Sequence, residues 1–226
     1  MTDTPCPDGE GCNSVFDRKL SQERLLVGIG GNTGSGKTTV ANELKRYGAK
    51  IIDADKLGWS MHRRNTPVYD KLVKAFGKDI LSQSGQIDRK LLGDKAFASK
   101  AGVKKLNDIV HPPLIERTRQ ELVRHRKGLV VLDAALLFTV HLDKEMDVTI
   151  LVTAPERLKV RRLADEDLEP QEARRRLKLQ DLDSKVWRRA DFVLENKGSL
   201  AELRRKSRAL WNFFYSTRFQ NLRDSS

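Results

Sequence analysis

Short apolar runs recur along the chain at positions 25–29, 129–132, 148–153 and 192–194, with a further β-like stretch at 50–53 and helix-like spacing between them, beginning at 39–47. That rhythm predicts an α/β sandwich, a parallel sheet wrapped by helices. The runs are nearly continuous rather than alternating, as expected when helices cover both sheet faces. Between 55 and 125 no comparable strand occurs, only helical patterns at 68–76, 89–97, 103–110 and 113–125. This reads as a helical insertion, about 60–126, covering one end of the sheet. Gly85 within 82–86 marks a turn, and Pro112-Pro113 predicts a helix boundary, because proline lacks the amide donor and restricts the residue before it. A second insertion, about 164–189, is rich in charge, with Pro170 near the start of a helical run to Gln180, and reads as a lid. The expected organisation is a tail over 1–23, one domain over 24–219 and a frayed tail over 220–226.

The interval between the first strand and the first helix carries the most specific signal. Gly31, Asn32, Thr33, Gly34, Ser35, Gly36, Lys37 and Thr38 match G-x-x-x-x-G-K-[ST] in full, with Thr39 next along the helix. Glycines let many backbone N–H groups approach a polyphosphate at once, and the helix adds its N-terminal amides and positive dipole end. Lys37 can reach the β- and γ-phosphates and Thr38 can ligate Mg²⁺. The motif in this setting predicts binding of a nucleoside triphosphate and a P-loop NTPase-like fold.

Candidate chemistry gathers at the same sheet edge. The stretch Ile51-Ile52-Asp53-Ala54-Asp55 places two carboxylates where ligands bind in open α/β sheets. Either can serve as general base or as outer support for the metal, and Asp55 can instead cap a helix. Asp133 follows an apolar strand, the place of an acid that holds metal through water. His111 sits between Val110 and Pro112 and reads either as a packing residue or as a functional one. In the lid, Arg161, Arg162, Arg174, Arg175 and Arg176 can close on phosphates, although helical spacing lets only two or three face the cleft. No serine lies in a nucleophile elbow, and no metal-ligand cluster beyond nucleotide-bound Mg²⁺ is evident.

The chain has 226 residues, 38% of them hydrophobic, enough for one core with insertions. Lys and Arg number 43 against 31 Asp and Glu, a net charge of +12. Many of these cations lie on helical stretches such as 117–126, 157–162 and 204–208, so solvated faces account for them and nucleic acid is not the expected main partner. A positive field also speeds capture of polyphosphates. Cys6 and Cys12 lie in the polar start without further metal ligands, and are expected as free thiols. No membrane-length apolar run and no signal-peptide pattern is seen, so a cytoplasmic protein is expected.

Taken together, the phosphate loop, the 52–55 stretch, Ile87-Asp88-Arg89-Lys90-Leu91-Leu92 with Phe97, Ile109-Val110-His111-Pro112, Leu136-Leu137-Phe138, Arg176-Leu177 with Gln180, and 190–196 before Gly198 resemble the dephospho-CoA kinase family. The resemblance runs from about Leu25 to Leu210. It implies ATP-dependent phosphorylation of the ribose 3′-hydroxyl of dephospho-CoA, with ATP and Mg²⁺. It assigns Asp55 as base, puts Asn196 near the nucleotide base and places the His111 region at the acceptor; Arg161 among the lid arginines is expected to contact the nucleotide, and Arg89 the acceptor. Four positions depart from the family: Ala135 replaces a proline, Thr139 an acid, Asp165 a lid arginine, and Lys185 stands one place early. They point to altered efficiency or acceptor preference. The competing readings are a kinase for another small acceptor and a non-catalytic nucleotide-binding module with a basic interaction surface.

Overall fold

The computed structural model describes residues 24–164, 169–179 and 184–223. Cys6, Cys12 and Asp165 lie outside them, as do the side chains of Arg176 and Lys185. Strands β1 (Arg24–Gly30), β2 (Lys50–Asp53), β3 (Gly128–Asp133), β4 (Val148–Thr153) and β5 (Phe192–Glu195) form one all-parallel sheet in the order β2-β3-β1-β4-β5. The strand limits at 50–53 and 148–153 coincide with the apolar pattern.

Alternate residues of the strands feed two cores. Leu25, Val27, Ile29, Val131 and Ile150 face helices α1 (Lys37–Arg46) and α9 (Leu200–Arg223), where they meet Val40, Leu44, Leu203 and Phe214. Leu26, Val130, Leu132 and Leu151 face the other way, onto Leu122, Phe138, Met146 and Val186. Both faces are thus apolar and covered, which is why the strands read as continuous runs.

Helices α2 (Ala54–Ser60), α3 (Pro67–Phe76), α4 (Arg89–Ala96) and α5 (Lys100–Arg124) fill the long interval between β2 and β3. Side chains define their starts: Thr66 accepts from the Tyr69 amide, Asp88 from those of Lys90 and Leu91, and Ser99 from that of Gly102. Val68, Leu72, Ile80 and Leu92 make a satellite core between them. The turn at 82–86 forms as expected, with Gly85 at φ 74°. The expected boundary at Pro112-Pro113 does not: both prolines lie inside α5. Proline inside a helix costs about 3 kcal/mol. Here the helix is anchored on both sides of the pair, by Leu106, Ile109 and Val110 on the satellite core and by Ile115 and Leu122 on the sheet. Tertiary packing overrides the local signal.

Helices α6 (Glu156–Ala164), α7 (Pro170–Leu179) and α8 (Ser184–Arg189) precede β5. α6 and α7 share a small core of Val160, Leu163, Ala173 and Leu177. At the start of β5, the Asp191 carboxylate accepts from both the amide and the hydroxyl of Thr149, each at 2.7 Å. This ties β5's entry to β4. Asp191→Ala removes the acceptor of the Thr149 amide and leaves its hydroxyl only the Arg189 carbonyl at 3.5 Å, and is expected to lower stability by about 1–3 kcal/mol, read by urea unfolding.

Candidate active site

The phosphate loop joins β1 to α1 in a form that only glycine permits at two points. Gly31 has φ 140°, and a Cβ there would lie 2.1 Å from the Val152 carbonyl oxygen; Gly36 has φ 102°, and a Cβ there would lie 2.5 Å from Asn196 Nδ2. Gly36 is also the N-cap of α1 and supplies no side-chain cap, so the first-turn amides of α1 keep their donor capacity. The loop is held from outside through its carbonyls. Asn196 Nδ2 donates to the Ser35 carbonyl at 2.8 Å, and Arg162 donates to the Gly34 carbonyl at 2.8 Å. The N–H of the Gly34–Ser35 peptide is taken by the Asn32 carbonyl at 3.1 Å, whereas the Ser35 carbonyl turned to Asn196 leaves the Gly36 amide on the opposite side of its peptide.

Within the cleft, Lys37 is buried and its ammonium donates to the Asn32 carbonyl at 3.2 Å. Burial lowers its pKa, while Asp133 and Asp55 pull it back up. Thr38 Oγ1 donates to Asp133 Oδ2 at 3.1 Å. Asp133 closes β3 in register with Ile29 of β1 and Asp53 of β2. Burial pushes its carboxyl up to about 6, against the opposing pull of Lys37 and the Thr38 hydrogen bond.

Asp53 and Asp55 divide their roles. The Asp53 carboxylate accepts from the Lys56 amide at 2.9 Å and is the N-cap of α2, so the cap considered for Asp55 belongs to its neighbour. Asp55 stands in the first turn of α2, open to the cleft on one side and walled by protein on the other. That wall raises its pKa, Lys37 and Arg89 lower it, and Asp53 raises it further.

The remaining predicted residues separate. Asn32, Thr33, Ser35 and Thr39 lie in the loop or the first turn of α1, whereas Arg161 is exposed and its neighbour Arg162 grips the loop. Asn196 spends its amide nitrogen on Ser35, where it braces the loop. His111 is half-buried in α5, one turn before Leu114, and burial keeps its pKa low with Asp108 opposing. The positions Ala135 and Thr139 lie in the segment after β3, where Thr139 is exposed. The carboxylate that serves this segment is Asp143, which pairs with Arg189; the same guanidinium donates to the Phe138 carbonyl at 3.1 Å and so pins the segment to α8. The sequence points to neither Asp143 nor Arg189, and it offers Arg162 as a phosphate contact of the lid and not as a clamp on the loop. Arg89 lies over the ring of Trp59, its guanidinium carbon 3.8 Å from the centroid.

A phosphate loop at the carboxyl edge of a parallel sheet, with carboxylates opposite its lysine, is the arrangement of P-loop kinases, and this chain is one. A family model described as dephospho-CoA kinase matches residues 25–202. A dephospho-CoA kinase of Aquifex aeolicus (strain VF5) is 40% identical over 184 residues, spanning 78% of this chain and 90% of its own length. Another, of Thermobifida fusca (strain YX), is 34% identical over 189 residues, spanning 83% and 94%. Two solved structures agree: TT1252 from Thermus thermophilus superposes with a TM-score of 0.67 at 34% identity, over 84% of this chain and 97% of that one. Dephospho-CoA kinase from Campylobacter jejuni does so at 0.58 and 26%, over 83% and 95%. The chain belongs to the dephospho-CoA kinase family.

Two outcomes test this geometry. Asp133 has a folded pKa above its unfolded value, so its contribution to stability is full at low pH and is lost as pH rises through about 6. Asp133→Asn, which does not titrate, is therefore expected to gain on the wild type by on the order of 1–3 kcal/mol between about pH 4 and pH 7, measured by urea unfolding at both. For the loop clamp, Arg162→Ala is expected to weaken ADP binding about three- to tenfold in calorimetry, with Arg161→Ala staying within about twofold.

Proposed function

We infer that the protein transfers the γ-phosphoryl group of ATP to the ribose 3′-hydroxyl of dephospho-CoA, giving CoA and ADP. The observation that carries this is the placement of Asp55 in the first turn of α2, within electrostatic reach of Lys37 and freed from capping by Asp53. A carboxylate there can accept the acceptor hydroxyl's proton as its oxygen bonds to phosphorus and the bond to ADP breaks. Its raised pKa makes it a stronger base than an ordinary carboxylate, and Lys37 favours its ionised form.

Lys37 and the loop amides hold the β- and γ-phosphates, where donors aimed in advance stabilise the charge of transfer. Thr38 and Asp133 are hard oxygen donors 3.1 Å apart, and they fit magnesium, with Thr38 as direct ligand and Asp133 acting through water. Magnesium bound there with ATP supplies neutralisation of phosphate charge. Arg162 and Asn196 keep the loop in shape. We assign the acceptor to the cleft beside α2–α5, with Arg89 and the His111 region as its walls, and the lid role to α6–α8. Among the described residues no helix is long and apolar enough to cross a membrane, and this reading places the protein in the cytoplasm with two soluble substrates.

The test is ADP release under Mg-ATP with and without dephospho-CoA. Asp55→Asn is expected to lower kcat by about 10²–10⁴-fold while leaving the KM for ATP within about threefold. Turnover that ignores dephospho-CoA, or that survives in the variant, overturns the assignment.

A further inference from the structure

Asp55 and Trp59 are four residues apart in α2 and share one face of it. The Arg89 guanidinium carbon lies over that indole, 3.8 Å from the ring centroid, and its charge is felt at Asp55. Stacking uses the face of a guanidinium and leaves its in-plane N–H donors for other partners. Arg89 is exposed at the first position of α4, and no hydrogen bond or ion pair among the described residues engages its side chain. A planar fork of donors, held open beside the proposed base, suits the oxygens of a phosphate group.

Trp59 is itself held from the side. His62 follows α2 and is 9% exposed, with its ring edge-on to the indole at 4.5 Å between centroids and 73° between planes. Neither ring nitrogen of His62 finds a hydrogen-bond partner. Burial, and next the Arg89 cation, push its pKa down to about 4. A neutral imidazole with both nitrogens unpaired contributes shape rather than hydrogen bonds, because unmade buried hydrogen bonds cost stability.

We propose that Trp59, wedged by the ring of His62, is a positioning residue that presents Arg89 to a phosphate group of the acceptor. The inference rests on the acceptor assignment above and names the portion of the acceptor that Arg89 meets: its anionic phosphate bridge rather than the reacting hydroxyl. Trp59 touches no reacting atom. It acts through Arg89, so its loss falls on acceptor binding and spares the nucleotide.

The experiment is steady-state kinetics of the full chain with dephospho-CoA and, separately, with adenosine, which offers the ribose hydroxyl without phosphate. Trp59→Ala is expected to raise the KM for dephospho-CoA about five- to tenfold, with kcat and the KM for ATP within about threefold. Activity on adenosine stays unchanged in the same variant. Trp59→Phe restores most of the acceptor affinity because it keeps an aromatic face. His62→Phe keeps wild-type acceptor KM, and His62→Ala moves it in the direction of Trp59→Ala. An unchanged dephospho-CoA KM in Trp59→Ala, a parallel rise for ATP, or an equal loss on adenosine overturns the proposal. Wild-type turnover with dephospho-CoA reports on the function itself, so failure there is distinct from failure of the variants.

Discussion

Parallel pairing of β2 with β3 and of β3 with β1 sets Asp53, Asp133 and Ile29 at one level of the sheet, and the chemistry of the cleft depends on that level. The chain leaves β1 into the phosphate loop and leaves β2 into α2, so lysine, threonine and three carboxylates gather at the same edge. Short ranges in a partly dry cleft make these charges matter to one another. Lys37 is held down by burial and held up by Asp133 and Asp55, and the acids show the reverse balance. A one-residue slip of β2 would turn Asp53 to the opposite face and carry α2 with it.

Around that edge the protein fixes its loop by gripping carbonyls. Asn196, the residue after β5, and Arg162, from α6, each donate to a loop carbonyl, not to the groups that would meet phosphate. The same economy appears in the segment after β3, where Arg189 takes both Asp143 and the Phe138 carbonyl. Positive charge in this protein therefore has an inward task as well as a solvated one. That tempers any reading of a net charge of +12 as a nucleic-acid surface.

The strands and the loop are legible in the sequence because their signals are local. Val148, Ile150, Leu151 and Val152 are buried apolar positions in a run bounded by Asp147 and Ala154-Pro155, and the glycine spacing of 31–36 has few other uses. What is not legible depends on packing. Asp53 takes the cap because β2 ends there, and two nearby aspartates give no hint of which will do so. Arg162 meets the loop and Arg161 faces water because Val160 and Leu163 fix the rotation of α6 against α7. Pro112-Pro113 is a genuine break signal that two separate cores overrule. The Trp59 and Arg89 contact joins residues 30 apart, and no local pattern announces it.

At Gly31 the loop lies against the sheet itself. The atom that a side chain at this position would strike is a carbonyl of β4, so the collision falls on the frame of the sheet and not on a nucleotide. Any replacement there must first push neighbouring strands apart at their carboxyl ends. In a genetic screen, an allele altered at Gly31 would surface as scarce protein, and raising its expression or lowering the growth temperature would do more for it than supplying nucleotide.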